Sequence, residues 1–369
     1  MRYGTGCAYL RVAVPPQRLA RGLRQILMAI AVVLGISLVP VIASAVPFRG
    51  IVVFGDSLSD TGNVFAVTEL VLEESIPVSP PYFRGRFSNG PVWVEILAEM
   101  LGLKLSPFLK GGTNFAFGGA ETGLDKKALF EHDIDELIPS IRTQVTTFLV
   151  QHLFDKADPA ALYIIWGGAN DLRDALVTTT DPFAEARVAV NNLVAAIEDL
   201  ADARAVYFLV PNMPNLGRTP ESRIRGPEAV ARATAVSVAF NNALATALDA
   251  IEAEHHITII RLDTFARLEE IIANPARFGF TNVTDTCLAG DPFAGGTPCT
   301  QPEVHLFWDS IHPTAAAHAL LAGFAFAALP PMLVTHGDKS PDTSIMDALV
   351  SLLPFSPREL PGGKLRLGR

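Results

Sequence analysis

Cysteine, positive charge and long apolar runs are all scarce in this chain, and each shortage removes a class of protein. Three cysteines in 369 residues cannot build a disulfide-dense miniprotein or a zinc site of four cysteines. Basic residues number 29 against 38 acidic ones. Five of the basic ones (Arg2, Arg11, Arg18, Arg21 and Arg24) lie in the first 45 residues, which hold no acid. The remainder is therefore strongly acidic, and because phosphate affinity rests on clustered Lys and Arg, no nucleic-acid partner is expected. The sequence has no Walker A loop, no His-Glu-x-x-His and no Gly-x-Gly-x-x-Gly, the signatures of nucleotide, zinc-protease and dinucleotide sites. It also lacks the Gly-x-Ser-x-Gly elbow of the common α/β-hydrolases. What is plentiful is apolar material: hydrophobic residues make up 49% and charged ones 18%, enough for a sizeable core.

The one long apolar run, Ile26 to Ala45, is uncharged and comes after the arginine-bearing stretch. Ala43-Ser44-Ala45 supplies the small-residue pattern of a signal-peptidase site, so residues 1–45 read as a signal peptide with cleavage after Ala45. An uncleaved membrane anchor is the rival reading, since about 20 apolar residues can span a bilayer. Either way the body is expected outside the cytosol, secreted or periplasmic. Export leaves Cys287 and Cys299, twelve positions apart around the Gly- and Pro-rich stretch Leu288 to Pro298. A disulfide is expected there, and closing a loop of that size is worth ~3 kcal/mol on the chain-entropy model. The stretch itself offers little means of ordering otherwise.

From residue 47 onward, β-rich runs alternate with helical patterns. The strand-like runs are Ile51–Phe54, Thr113–Phe117, Ala161–Trp166, Val206–Val210 and Ile257–Ile260. The helical ones are Pro91–Leu101, Ile138–His152, Pro182–Ala201 behind an Asp181 cap, and Glu228–His255. Strands apolar on both faces and separated by helices imply a parallel sheet covered on both sides. The expected fold is an α/β, three-layer α/β/α domain over residues 46–330 with a mostly parallel five-stranded sheet. A weakly ordered tail, 331–369, is expected after it.

In such sheets ligands bind at the carboxyl ends of the strands, so the residues after each run are the ones to weigh. Ser57 comes after the first run, where a hydroxyl is either presented as a nucleophile or merely caps the next helix. Gly118-Gly119 comes after the second, a plain turn unless its amides face a ligand. Asn170 comes after the third, an ordinary turn residue unless its side-chain N–H group meets a developing oxyanion. Near the end lies Asp309-Ser310-Ile311-His312. A serine needs a base, histidine titrates in the right range, and an acceptor three positions back can hold its other nitrogen. A metal site from Asp309, His312 and His318 is the weaker alternative, because no third strong ligand shares their spacing. Each signal is weak alone, but all fall where one acyl-transfer mechanism needs them.

With those residues in place, the sequence resembles the GDSL lipase/esterase family, the SGNH hydrolases. Gly55-Asp56-Ser57-Leu58 matches the first block, with Ser59 to Asn63 as its extension. Gly111 to Ala120 resembles the second, Gly168-Ala169-Asn170-Asp171 the third and Asp309 to Thr314 the fifth. The resemblance covers about Phe48 to Pro330. It implies a flavodoxin-like sheet and hydrolysis of carboxylic esters without cofactor or metal. In that pattern Ser57 is the nucleophile, His312 the base and Asp309 its orienting partner. The oxyanion hole is made by Ser57, Asn170 and a glycine, Gly119 before Gly118. The expected substrate is a small-molecule or lipid ester of short to medium chain, with transient contact to a lipid surface allowed. Phospholipase or acyltransferase chemistry through the same acyl-enzyme is the alternative, and a non-catalytic exported binding protein that of another class. Phe54, Phe65, Phe115 and Phe117 fall near the site in sequence and are read first as core, second as its apolar mouth.

Overall fold

A computed structural model describes residues 48–123, 137–152, 157–178 and 181–330. The signal segment with its cleavage after Ala45, and the tail 331–369, lie outside the described residues. The elements run β1 (Gly50–Gly55), α1 (Asn63–Val71), α2 (Trp93–Met100), α3 (Ile141–Gln151), β2 (Ala161–Trp166), α4 (Ala169–Thr178), α5 (Pro182–Asp202) and β3 (Tyr207–Pro211). They continue with α6 (Pro220–Ile224), α7 (Pro227–His255), β4 (Thr258–Leu262), α8 (Thr264–Ala273), β5 (Asn282–Thr286), β6 (Leu288–Asp291), β7 (Gly295–Pro298), β8 (His305–Phe307) and α9 (Ala315–Ala328).

The main sheet is parallel and four-stranded, in the order β1-β2-β3-β4. Alternation along its strands sorts the core into two layers. Val52 and Phe54 of β1, Tyr163 and Ile165 of β2 and Phe208 and Val210 of β3 face a cluster built with α3, α5 and α7. Ile51, Val53, Leu162, Ile164 and Leu209 face the opposite cluster, built with Trp93 and Leu97 of α2 and Ala322 and Ala325 of α9. A strand with both faces covered has no use for polar alternation, which is why these runs read as continuous apolar stretches.

The expected fifth strand, Thr113–Phe117, is not a ladder member. It lies beside β1 and exchanges bonds with it at Val53 N–H to Thr113 O (3.0 Å), Phe115 N–H to Val53 O (2.7 Å) and Phe117 N–H to Gly55 O (3.1 Å), but it pairs in strand geometry with β1 only at Val53–Asn114. The Asn114 side chain explains the departure: its Oδ1 accepts from Ala116 N–H (2.9 Å) in a local turn that competes with the ladder, and its Nδ2 donates to Ser59 O (2.7 Å).

The loop between the cysteines also departs from expectation. Leu288 to Pro298 forms an antiparallel hairpin, β6 on β7, with Leu288 opposite Pro298 and Asp291 opposite Gly295. Asp291 closes the turn by accepting from the amides of Phe293 and Ala294, each at 2.8 Å, and the Cys287–Cys299 disulfide staples the open end.

Candidate active site

The carboxyl end of β1 delivers Ser57. Gly55, the last strand residue, is gripped by Gln144 of α3, whose Oε1 accepts from the Gly55 amide and whose Nε2 donates to its carbonyl, both at 2.9 Å. The chain then turns through Asp56, whose carboxylate accepts from Leu58 N–H (3.0 Å). Burial raises the Asp56 carboxyl from its ordinary value of 3.8 to about 6, although the Leu58 amide draws it back. The acid beside the serine therefore titrates inside the range where histidine works.

Asp60 braces the turn on the far side of the serine. Its Oδ1 accepts from the amides of Gly62 (2.7 Å) and Asn63 (2.6 Å), and its Oδ2 from Val64 (3.1 Å) at the head of α1 and from Gly118 (3.0 Å) on the second block. Asn63 Nδ2 donates to the carbonyls of Asn114 (2.8 Å) and Ala116 (2.9 Å). One carboxylate and two asparagines thus lock the Gly118-Gly119 loop to the serine turn. The same bonds separate the two glycines. The Gly118 amide is engaged by Asp60, whereas Gly119 adopts φ +82°, a left-handed conformation that glycine enters at little cost. Gly118 has its own reason: a Cβ there would come within 2.2 Å of the Phe87 ring, which itself lies against His312 with ring centroids 5.3 Å apart.

Asn170, in the first turn of α4, spends one side-chain N–H on Ala120 O (2.9 Å). An amide has two, and Asn170 lines the cleft beside Ser57. Asp171 next to it accepts from Thr122 N–H and Oγ1–H, holding the stretch of chain just beyond the glycines.

His312 comes from the tight turn after β8. Trp308 N–H donates to His312 O (2.7 Å), and Asp309 Oδ1 accepts from the amides of Ile311 (2.9 Å) and His312 (2.8 Å). That geometry aims the ring. His312 Nδ1 lies 2.7 Å from Asp309 Oδ2, and Nε2 lies 2.9 Å from Ser57 Oγ. The three side chains are buried, Ser57 at 9%, His312 at 4% and Asp309 at 2% exposure. Burial alone would raise the Asp309 carboxyl, but the imidazole, the hydroxyl of Tyr82 and the Ile311 amide hold it below the ordinary carboxylate range. Tyr82 donates to Asp309 Oδ2 at 2.6 Å. Nothing in the sequence pointed to it, because it sits in a proline-rich loop 227 positions away. His318, the third residue of the metal reading, faces elsewhere: its Nδ1 accepts from Trp93 N–H (3.3 Å).

The cleft over Ser57 and His312 runs between α8 and α9. Leu268 and Ile271 line one side and Ala317, Leu321 and Phe324 the other, with Leu306 and Phe307 also in its lining. Phe54 and Phe115 stack in the core with centroids 5.5 Å apart, and none of the four phenylalanines singled out from the sequence lines the cleft. Its arginines are all held in ion pairs, two of them on one carboxylate. Arg173 meets Glu221 twice (2.8 and 2.9 Å), Arg225 meets the same carboxylate (3.2 Å), and Arg267 meets Glu270 (2.9 Å).

A family model described as GDSL-like lipase/acylhydrolase matches residues 51–323. The chain belongs to that family. Within it, the chain is 27% identical to a phosphatidylcholine-sterol acyltransferase of Aeromonas hydrophila, covering 74% of this chain and 88% of that one. It is 30% identical to acetylajmalan esterase 2 of Rauvolfia serpentina, again over 74% and 88%. Among solved structures, a lipolytic protein of the G-D-S-L family from Veillonella parvula aligns with TM-score 0.40 and 16% identity, over 75% of this chain and 96% of that one. The protein is a carboxylic ester hydrolase.

Proposed function

We propose that this GDSL hydrolase is an exported serine esterase that cleaves short- to medium-chain carboxylic esters through an acyl-enzyme. The observation that carries the reading is the continuous hydrogen-bonded line from Ser57 Oγ through His312 to Asp309, set at the floor of an apolar cleft. His312 Nε2 takes the hydroxyl proton as Ser57 Oγ attacks the ester carbonyl. The anionic tetrahedral oxygen is met by the Ser57 amide, the Gly119 amide and the free N–H of Asn170. Asp309 keeps Nδ1 protonated and stabilises the imidazolium, which then protonates the departing alcohol. Water, activated by the same imidazole, repeats the sequence on the acyl-enzyme and frees the acid.

The spacing of the cleft's lining supports a short- to medium-chain acyl group. The cleft residues Leu268 and Ile271 continue a face that starts at Thr264, and Ala317 and Phe324 are likewise seven positions apart. Seven residues of helix span about 10 Å, so the lining supports an apolar acyl group of short to medium length. The test is a nitrophenyl ester series from acetyl to dodecanoyl on purified protein, beside Ser57→Ala. Turnover should rise from acetyl to about octanoyl, and Ser57→Ala should lose ~10⁴–10⁶ in kcat. A Ser57→Ala protein that retains normal turnover overturns the assignment.

The likeness to an acyltransferase favours a second reading, in which an alcohol or sterol rather than water takes the acyl group. Product analysis with an added acceptor separates the two.

A further inference from the structure

We propose that Tyr82 is a positioning residue of the reaction, whose hydroxyl holds Asp309 Oδ2 and limits how strongly that carboxylate pulls on the imidazole. The proposal rests on Ser57, His312 and Asp309 acting as a nucleophile, base and orienting acid.

Asp309 has been taken out of water, and a carboxylate in that position keeps its charge only if donors replace the lost solvent. Oδ1 receives the Ile311 and His312 amides. Oδ2 faces His312 Nδ1 and receives Tyr82 Oη–H. Among the described residues, Tyr82 is the donor on Asp309 that comes from outside the Asp309–His312 turn. The two amides move with the backbone wherever the turn goes, whereas the tyrosine ties the carboxylate to a separate part of the fold.

Tyr82 is itself fixed. It is 2% exposed, its ring meets Trp308 edge-on with centroids 6.1 Å apart, and it packs with Cys287 and Leu288 of the stapled hairpin. Its amide donates to Val78 O (3.2 Å), and Val78 N–H donates to Pro292 O (2.9 Å) at the hairpin tip. Burial, reinforced by the charge of Asp309, pushes the phenol far above its usual range, so it stays a proton donor at every working pH.

A hydroxyl on the same oxygen that the imidazole uses draws off part of its negative charge. Removing the hydroxyl concentrates that charge on the Nδ1 proton and, at the same time, leaves the carboxylate easier to protonate. Both effects move the acid limb of the kcat/KM profile to higher pH, since that limb reports the free enzyme's base. The other charged groups around the pair are Asp56 at the end of β1, Arg173 of α4 with Glu221 of α6, His318 of α9, and Asp291 facing Tyr82. None of them changes in the variant.

The test compares Tyr82→Phe with the parent protein and with a protein carrying 3-fluorotyrosine at position 82, a stronger hydrogen-bond donor. Tyr82→Phe should shift the acid limb up by ~0.5–1 pH unit, so that kcat/KM falls about threefold to tenfold below the limb and stays within about threefold on the alkaline plateau. The fluorinated phenol should shift it down. A limb that stays in place in both proteins, or that moves the same way in both, overturns the proposal, and so does a uniform loss at every pH, which assigns Tyr82 to packing alone. If Tyr82→Phe does not fold, the fluorotyrosine protein, which keeps shape and hydroxyl, still decides the sign. Failure of the underlying reading shows separately, as turnover by Ser57→Ala.

Discussion

Asn170 spends one N–H on Ala120 O, and the proposed mechanism gives the other to the oxyanion, which makes a prediction. Asn170→Ala loses a donor to the oxyanion, and kcat should fall ~10²–10³ while KM for the same ester moves little. Steady-state kinetics on a nitrophenyl ester checks it. Asp56 gives a prediction in stability. Its folded-state carboxyl is raised to about 6, so its protonated form supports the native state at low pH, and that support is lost as pH rises through about 6. Asp56→Asn keeps an acceptor for Leu58 N–H without the buried charge. Its Tm relative to the parent should therefore be higher at pH 8 than at pH 4.5, the difference corresponding to at most ~3 kcal/mol, as measured by thermal denaturation across that range. Gly118→Ala forces its methyl into Phe87, and because that ring lies against His312, loss of ~1–3 kcal/mol in urea denaturation should come with lower kcat.

At the scale of elements, the stapled hairpin supports the turn that carries Asp309 and His312. Cys287 N–H donates to Phe307 O (3.0 Å) and Leu288 N–H to Trp308 O (2.6 Å), the two residues immediately before Asp309. Replacing both cysteines by serine should cost ~2–4 kcal/mol, read by urea denaturation, and reductant should then change the parent but not the variant. The long helices are legible in the sequence because their caps and spacings are local: Asp181 does accept from Ala184 N–H (3.0 Å), and α5 spans Pro182–Asp202. The strands β1 to β3 are legible for a related reason, since burial on both faces writes itself into sequence as unbroken apolar runs. Sequence and structure part where side chains overrule pattern. Thr113–Phe117 has strand composition, but Asn114 bends it off the ladder. Leu288–Pro298 has loop composition, but Asp291 and a covalent bond make it a hairpin. In the shortlist, Ser57 and Asn170 are visible from position after strands, and Asp309 and His312 from their spacing. Tyr82, Gln144 and the bracing role of Asp60 are not, because each acts through a partner tens or hundreds of positions away.

For the whole molecule, the body is acidic while the cationic groups at the cleft are held in ion pairs. The three arginines at the cleft share Glu221 and Glu270, and the excess of acids lies elsewhere in the chain. Turnover of a neutral butyryl ester should therefore be nearly flat between about 10 and 150 mM salt. An otherwise similar ester bearing a carboxylate should be slower at low salt and recover as screening sets in at a Debye length of ~10 Å. Equal salt response of the two esters would contradict this.

The irregular run beside β1 also closes off the flank of the sheet. An outer strand invites a second chain to zip onto it, and Thr113, Phe115 and Phe117 occupy the exchange groups of Val53 and Gly55 that would do so. That run leads directly into Gly118 and Gly119. Lengthening it by a few residues would unseal the sheet and displace the glycine that the proposed mechanism uses as an oxyanion donor, so on that mechanism colloidal behaviour and catalytic rate are tied to one short stretch of backbone.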